Sequence, residues 1–413
     1  MGGGGGGWSV SGSPLTGGPP TGSPPTGSPL TGSPLTEDLL REVVPRVLGA
    51  LVRRGADFGD AEDAVQEALV KALALERPPD DLRAWLIVVA TRKLVDRARG
   101  DRARRRREEA FAEPPPEVAD RDDTLLLLFL CCHPDLPPAS AIALTLRAVA
   151  GLTTAAIAEA HLVPEATVAQ RISRAKRRVR VEPLGDAEAR LPQVLRVLYL
   201  LFNEGYTHPG RVDLAEEAIR LARAVHAARP DDGEVTGLLA LMLLTHARRP
   251  ARLGEHGALV PLAEQDRGLW DEALIEEGAD LVVRAVSRGR VGEYQLQAAI
   301  AAIHDDAARA EDTDWPQILA MYGLLVRMTG NPVIALNRAV AASVVHGPEA
   351  GFTLVAELEG ELAGHHRLDA VKAHLHERSG DVEAAVRHYR AAAARTTSAA
   401  ERQHLLARAA RLS

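Results

Sequence analysis

Between Pro138 and Arg180 the chain reads PASAIALTLRAVAGLTTAAIAEAHLVPEATVAQRISRAKRRVR, and this stretch constrains folding more than any other. It predicts two short amphipathic helices, a tight turn and a longer basic helix. Gly151 suits the left-handed position that ends a helix. Thr153 can cap the next helix, which offers Ile157 and Ala160 as apolar contacts. His161, Leu162 and Val163 form the turn. Pro164 lies at or beside the first position of the last helix, where a missing N–H costs nothing. In that helix Val168, Ile172, Ala175 and Val179 recur at helical spacing and face inward. Ala166, Gln170, Ser173, Arg174 and Arg177 lie on the opposite face, flanked by Thr167 and Arg171. A helix-turn-helix places such a face in the major groove, where Gln and Arg pair bidentately with adenine and guanine. Lys176, Arg177, Arg178 and Arg180 suit phosphates, which position without specifying. A solvated basic helix in a bundle is the plainer reading, but it leaves the agreement of turn, cap and inner face unexplained.

The 413-residue chain has a formal net charge of −7, so overall charge does not mark a polyanion binder. Its basic residues gather instead in the first half. Aromatics make up 3 %, while alanine, leucine and arginine abound, which favours helices. Cys131 and Cys132 are adjacent in an apolar run and make a poor structural staple, as in a reducing compartment. They read as buried small hydrophobes; a redox switch beside His133 is the sharper alternative. No basic-then-apolar leader opens the chain, and Leu125–Cys132 is too short to span a bilayer. The expected setting is the cytoplasm, with no membrane.

Residues 1–36 form a low-complexity tail: six glycines, then imperfect TGSPL and TGSPP repeats. Such a segment buries too little apolar surface to offset its ordering entropy and is expected to be disordered. Then Leu39, Leu40, Val43, Val44, Val47, Leu48 and Leu51 mark a helix that Pro45 should kink or restart. Asp60 can cap a second helix. Its inner face is Ala61, Ala64, Val65, Ala68, Leu69 and Ala72; its outer face is Glu62, Asp63, Gln66, Glu67 and Lys71. A loop over residues 76–81 is broken by Pro78 and Pro79. The third helix has Leu82, Trp85, Leu86, Val89 and Leu94 on one side. Arg83, Arg92, Lys93, Arg97 and Arg99 lie on the other, and Gly100 can stop it. Arg102 and Arg104–Arg107 extend a positive strip suited to phosphate backbone. Pro114–Pro116 mark a linker, after which Asp122 or Asp123 can cap a helix through Leu125–Cys132.

DAEDAVQEAL at 60–69, AWLIVVATRKLVDRAR at 84–99 and LTTAAIAEAHLVPEATVAQRISRAKRRV at 152–179 resemble regions 2 and 4 of sigma-70-type factors, in the small two-domain form of the extracytoplasmic-function (ECF) group. LPQVLRVLYLLFNEGYTHPG at 191–210 and LWDEALIEEG at 269–278 resemble the middle domain of a subgroup with a long C-terminal helical-repeat extension. The resemblance implies a non-enzymatic subunit without cofactor, metal or catalytic residues, which binds core RNA polymerase and directs it to promoter DNA. It implies that Glu62, Asp63, Gln66 and Glu67 dock on polymerase, and that the 76–82 loop captures a flipped −10 base. Arg92, Lys93, Asp96, Arg97 and Arg99 then contact the melted −10 strand, with Trp85 in that helix but read as a core residue. Glu165, Thr167, Gln170, Arg171, Arg174, Lys176, Arg177 and Arg178 fall to the −35 element.

The expected architecture is all-α. It comprises the tail (1–36), region 2 (37–108), a linker (109–122), the region 4 helix-turn-helix (123–182), a helical middle domain (184–285) and tetratricopeptide-like helical repeats (286–413). Asp213 can cap AEEAIRLARAVHAAR, and Gly233 precedes another helix. GDVEAAVRHYRAA at 380–392 follows the second helix of such a repeat, with Gly380, Ala384, Tyr389 and Ala392 at its packing positions. Asn331-Pro332 separates two further helices outside that register. Repeat arrays present surfaces for a protein partner. The His304-Asp305-Asp306, His365-His366 and His374/His376 groups show no four-ligand spacing and read as scattered histidines. Asn203, Glu204, Tyr206 and His208 read as a polar network or partner surface. Two rival functions stay open: a helix-turn-helix regulator with a sensing repeat domain, and an enzyme in 184–285 built on Asn203, Glu204 and His208.

Overall fold

A computed structural model describes residues 37–75, 77, 79–105, 124–161, 163–179, 187–207, 213–254, 258–396 and 398–413. These residues are helical without a β-sheet: α1 (Glu37–Arg53), α2 (Phe58–Leu73), α3 (Leu82–Arg105), α4 (Thr124–Cys131), α5 (Pro138–Ala148), α6 (Thr154–Ala160) and α7 (Glu165–Arg178). The second half continues with α8 (Ala187–Thr207), α9 (Leu214–Ala228), α10 (Gly233–Ala247), α11 (Arg249–Arg252), α12 (Glu272–Val286) and α13 (Glu293–Asp306). It ends with α14 (Trp315–Thr329), α15 (Pro332–His346), α16 (Pro348–Leu358), α17 (His366–Ser379), α18 (Val382–Arg395) and α19 (Ala399–Leu412). Among the described residues no helix is long and apolar enough to cross a membrane.

Local chemistry decides against a restart at Pro45 and corrects two expectations in the first half. α1 runs through Pro45 as one helix, without a restart. The cap of α2 is Asp57, not Asp60: its carboxylate accepts from the N–H of Gly59 at 2.8 Å and of Asp60 at 3.3 Å. Asp60 lies inside the first turn, where a carboxylate still favours the helix dipole. Nor does Gly100 stop α3, which continues to Arg105. A helical glycine costs only about 1 kcal/mol against alanine, and arginines are good helix formers. The expected caps Asp122 and Asp123, the tail and the linker lie outside the described residues.

The modules expected to be separate share one core. α4 reads TLLLLFLC and has no polar face; Leu127, Leu128, Phe129, Leu130 and Cys131 are all buried. A helix apolar all round needs cover on every side. α1 packs on α4 from region 2, α5 from the helix-turn-helix and α8 from the second half. The buried set therefore runs without a break from Val47 through Leu128, Leu144 and Leu198 to Met242 of α10. Cys131 and Cys132 are fully buried within it. Burial raises both thiols, that of Cys132 to about 12, which suits two small core side chains.

In the second half, the two glycine-ended segments close helix contacts. A Cβ on Gly205, which ends LYLLFNEG, would meet Leu214 at 2.8 Å, so α8 and α9 touch through its missing side chain. A Cβ on Gly278, which ends DEALIEEG, would lie 2.6 Å from Leu244 Cγ where α12 crosses α10. Buried Arg248 donates to Asp305 Oδ1 at 2.5 Å and to the Ala301 carbonyl at 2.6 Å, joining the end of α10 to α13. Burial raises the Asp305 carboxyl against the pull of Arg248. Burial, with Arg248 and Arg267 nearby, lowers His304 to about 4. The His304–Asp305 pair thus belongs to a helix junction. Beyond it, α14 to α19 pack successively on one another. Gly330 (φ 59°) closes α14 and Asn331 caps α15; Gly380 (φ 85°) closes α17 and Asp381 caps α18. Ala384, Tyr389 and Ala392 are buried in α18. His365 caps α17, His366 pairs with Glu401 at 3.4 Å, and His376 with Asp381 at 3.3 Å.

The two kinds of helical glycine respond oppositely to one methyl group. Gly278→Ala gains up to about 1 kcal/mol of helix propensity but overpacks Leu244 at a cost of about 1–3 kcal/mol. Gly323 lies inside α14, and a Cβ there would meet only the end of Arg327 at 3.6 Å. Gly323→Ala should therefore raise the urea midpoint and Gly278→Ala lower it; the same sign for both would refute the close-contact assignment.

Candidate nucleic-acid interface

The helix-turn-helix forms from its local signals. Gly151 takes φ 69°, and the Leu152 N–H returns to the Leu146 carbonyl at 3.0 Å, closing α5. Thr153 caps α6 through the Ala156 N–H at 3.1 Å. Pro164 is the cap residue of α7, one position before its first turn. Val168, Ile172 and Ala175 are buried, with Val179 behind them. The other face leaves Glu165, Ala166, Gln170, Ser173, Arg174, Arg177 and Arg178 exposed, with Thr167 and Arg171 half-buried beside them. Arg178 Nη1 donates to the Asp135 carbonyl at 3.5 Å. One helix face thus offers an amide and a guanidinium near its start and cations along its end.

Region 2 presents its charges on α2 and α3, which pack side by side. Asp63 and Gln66 are exposed. Glu67 accepts from Lys93 at 2.8 Å and from Arg97 at 2.5 Å, and Arg97 also lies 3.5 Å from Asp63. Hydrogen bonds from Lys93 and then Arg97 hold Glu67 below the usual carboxylate range. The bond to Glu67 raises the Arg97 guanidinium in turn. The two expected sites therefore adjoin: Glu67 belongs to the polymerase set, Lys93 and Arg97 to the −10 set. Arg92 and Asp96 are exposed on α3. The Arg99 side chain, Glu76 and Pro78 lie outside the described residues. Trp85 is half-buried, packed against the core. Asp81 accepts from the Ala84 N–H at 2.9 Å where α3 begins.

Glu62 differs from its neighbours. Its side chain is only 13 % exposed, because the helix-turn-helix sits over it. Arg147 Nε lies 3.3 Å from Oε1, and Lys176 donates to Oε2. Sequence reasoning missed Arg147. Its signal was present: it is the one charge in PASAIALTLRA, and its partner lies 85 positions earlier. Arg147 also donates to the Leu152 carbonyl at 3.1 Å, bracing the turn.

The polar residues expected in the middle domain are spent on packing. Glu204 approaches His161, in the turn of the helix-turn-helix, at 3.8 Å. Burial lowers the His161 imidazole against the pull of Glu204, so at neutral pH this is a polar contact of a neutral ring. Tyr206 stacks on Phe202 with centroids 5.8 Å apart and carries the Arg252 guanidinium 4.0 Å over its ring. Asn203 is half-buried, and His208 lies outside the described residues. Among the described residues no three His, Cys, Asp or Glu side chains converge as a metal site.

Comparison with known proteins agrees with this geometry. Residues 39–105 match Sigma-70 region 2, residues 126–179 match Sigma-70 region 4, and residues 190–286 match a family of unknown function, DUF6596. An uncharacterised protein of Rhizobium meliloti (strain 1021) is 39 % identical over 348 residues, covering 78 % of this chain and 82 % of the relative. No solved structure matches the chain. With α1–α3 and α4–α7 matching the two sigma regions and α8 onward following them, the chain belongs to the sigma-70-type factors, in an ECF-like form with a helical extension.

Proposed function

We propose that the protein is a promoter-specificity subunit of RNA polymerase, acting in the cytoplasm. The observation that carries this reading is α7: a capped helix with its apolar face buried and Gln170, Arg174 and Arg177 turned to solvent, on the same chain as a region 2 module. In this reading Glu165, Thr167, Gln170, Arg171 and Arg174 face base edges of the −35 element, and Lys176, Arg177 and Arg178 its phosphates. Arg92, Lys93, Asp96, Arg97 and Arg99 hold the melted −10 strand, since single strands need a positive groove. Glu62, Asp63, Gln66 and Glu67 meet core polymerase. The role is recognition, so no residue is assigned to bond-breaking chemistry. The extension acts as a regulatory or assembly domain. Its first helix lies on α4 and α5, which gives anything bound to it a route to the helix-turn-helix.

The primary test is transcription in vitro with core polymerase and fragmented genomic DNA. Discrete starts that need the protein and share −35 and −10 elements support the reading; their absence, with duplex binding intact, favours a plain regulator. Arg174→Ala should weaken the −35 element by about 1–3 kcal/mol and relax specificity there, whereas Arg178→Ala should weaken all sequences alike and lower the salt slope by about 1. Equal specificity profiles for the two variants would remove Arg174 from base readout. Asp63→Lys, an exposed change away from α7, should lower affinity for core polymerase while leaving duplex binding by the same chain unaltered. Titration of labelled protein with core polymerase reads the first quantity, and fluorescence polarisation the second.

A further inference from the structure

A cleft of about 860 Å³ opens where α8 passes the start of the repeats, a volume in the range of small-molecule sites. It is lined by α8, the junction of α9 and α10, the start of α13 and the cap of α15. One face of α8 supplies its apolar wall. Leu191, Leu195 and Tyr199 recur there at four-residue spacing, with exposed Arg196 beside them. The Tyr199 ring meets that of Tyr294 with centroids 5.5 Å apart and a tilt of 52°. In a chain with 3 % aromatics, two tyrosines on one cleft concentrate its planar surface there. The Tyr199 hydroxyl donates to Gln297 Oε1 at 3.4 Å, and Gln297 Nε2 donates to Glu293 Oε1 at 3.0 Å, which fixes the Tyr199 ring.

The charges around the cleft decide what it can hold. Three carboxylates line it, and each is already engaged. Asp232 accepts from the Val235 N–H at 2.9 Å as the cap of α10. Glu234 accepts from the N–H of Tyr294 at 3.2 Å and of Gln295 at 3.1 Å, one on each oxygen, at the start of α13. Glu293 takes the Gln297 amide. With α15 starting at Asn331, three helix N-termini reach the cleft, each equivalent to roughly half a positive charge. Together with Arg196 and Arg229 they slightly outweigh the acids. Among the described residues, the Arg196 guanidinium and the Tyr294 hydroxyl have no hydrogen-bond or ion-pair partner. Burial raises the Tyr294 hydroxyl, with Glu293, Tyr199 and Glu234 adding to the rise and Arg196 opposing it, so the phenol keeps its proton at neutral pH. The uncommitted groups of the cleft are thus a cation and a donor, set beside two aromatic rings.

We propose that this cleft binds a small aromatic carboxylate, its ring laid against Tyr199, Tyr294 and the leucines of α8, and its anionic oxygens accepting from Arg196 and the Tyr294 hydroxyl. Bonds between guanidinium and carboxylate are charge-assisted and roughly twice as strong as neutral ones, which makes Arg196 the selecting group. A cationic ring meets Arg196 as a like charge and finds the acids already bonded; a neutral ring leaves Arg196 unmatched. The site belongs to the extension and does not rest on the promoter reading. On its other side α8 buries Val194, Leu198 and Leu201 and touches α4 and α5, so an occupant bears on the helix that walls the helix-turn-helix.

The test is isothermal titration calorimetry of the full-length chain with three probes of similar size: naphthoate, naphthamide and naphthylmethylammonium. The wild type should bind naphthoate about tenfold more tightly than the amide, and the ammonium least. Arg196→Gln changes an exposed side chain, so it should leave the urea midpoint in place while erasing the preference for naphthoate over the amide. Tyr294→Phe keeps the ring and removes the donor, and should weaken naphthoate about fivefold. Tyr199→Leu should weaken all three probes together. Bound naphthoate should also slow amide exchange in peptides covering residues 191–200 and 292–298. Saturable naphthoate binding that both Arg196→Gln and Tyr294→Phe weaken supports the proposal. No saturable binding of naphthoate, tightest binding of the ammonium, or a naphthoate preference that survives Arg196→Gln overturns it. Neither polymerase nor DNA takes part in the titration. Its failure therefore leaves the promoter-specificity reading standing, and failure of that reading in the transcription assay leaves the cleft.

Discussion

The helix without a polar face decides how this chain is assembled. α4 offers leucine on every side, and a buried leucine side chain is worth about 1.5–3 kcal/mol relative to exposure. No single neighbour can cover all of it. α1, α5 and α8 each take one side, and those helices come from region 2, the helix-turn-helix and the extension. A short apolar segment that looks like a minor feature thus forces three modules onto one core. It also means that α8 is the outer wall of the helix-turn-helix and not merely the start of another domain. Glu204 against His161 and the fully buried Leu198 mark that wall.

Much of this was legible in the sequence because it rested on local rules. The glycine after α5, the threonine cap of α6 and the inner face of α7 each depend on residues within a turn of one another. The same holds for Asp213, Asn331, Gly380 and the buried positions of α18. Where local rules compete, the reading slipped. Asp57 and Asp60 are both good caps, and the choice between them depends on where Phe58 finds the core. Gly100 could stop a helix, but stopping also needs a left-handed turn, and none forms there.

What the sequence withheld was long-range pairing. Arg147 looked unremarkable because its partner, Glu62, is remote in the chain and lies on a face that seemed complete in itself. The acidic strip on α2 likewise read as a free surface. In the fold, Glu67 is held by the adjacent α3 and Glu62 by the opposing module, while Asp63 stays exposed beside Arg97 and Gln66 faces solvent. A period of 3.6 residues gives the face of a helix but not what it meets. The polar residues after LYLLF read as a polar network or partner surface, without showing which elements they would join. A cluster of Asn, Glu, Tyr and His suggests chemistry, yet Glu204 and Tyr206 are used to seat α8 against the helix-turn-helix and α11.

The glycine contacts extend the argument from sigma core to extension. Gly205 brings α9 onto α8, and Gly278 brings α12 onto α10, so the helix touching region 4 is itself clamped by the middle domain. Arg248 then ties the end of α10 to α13 through a buried carboxylate and a carbonyl. Removing one partner of such a pair leaves an uncompensated buried charge, which makes the joint costly to break. From α13 onward the helices stack in succession on that joint. A force applied to the far helices therefore has packed contacts to follow as far as α8, and α8 lies on α4 and α5, the two helices that carry Arg147 and the α1 contact. A two-module factor on a free tether would lack this path; here the extension and the helix-turn-helix are walls of one core.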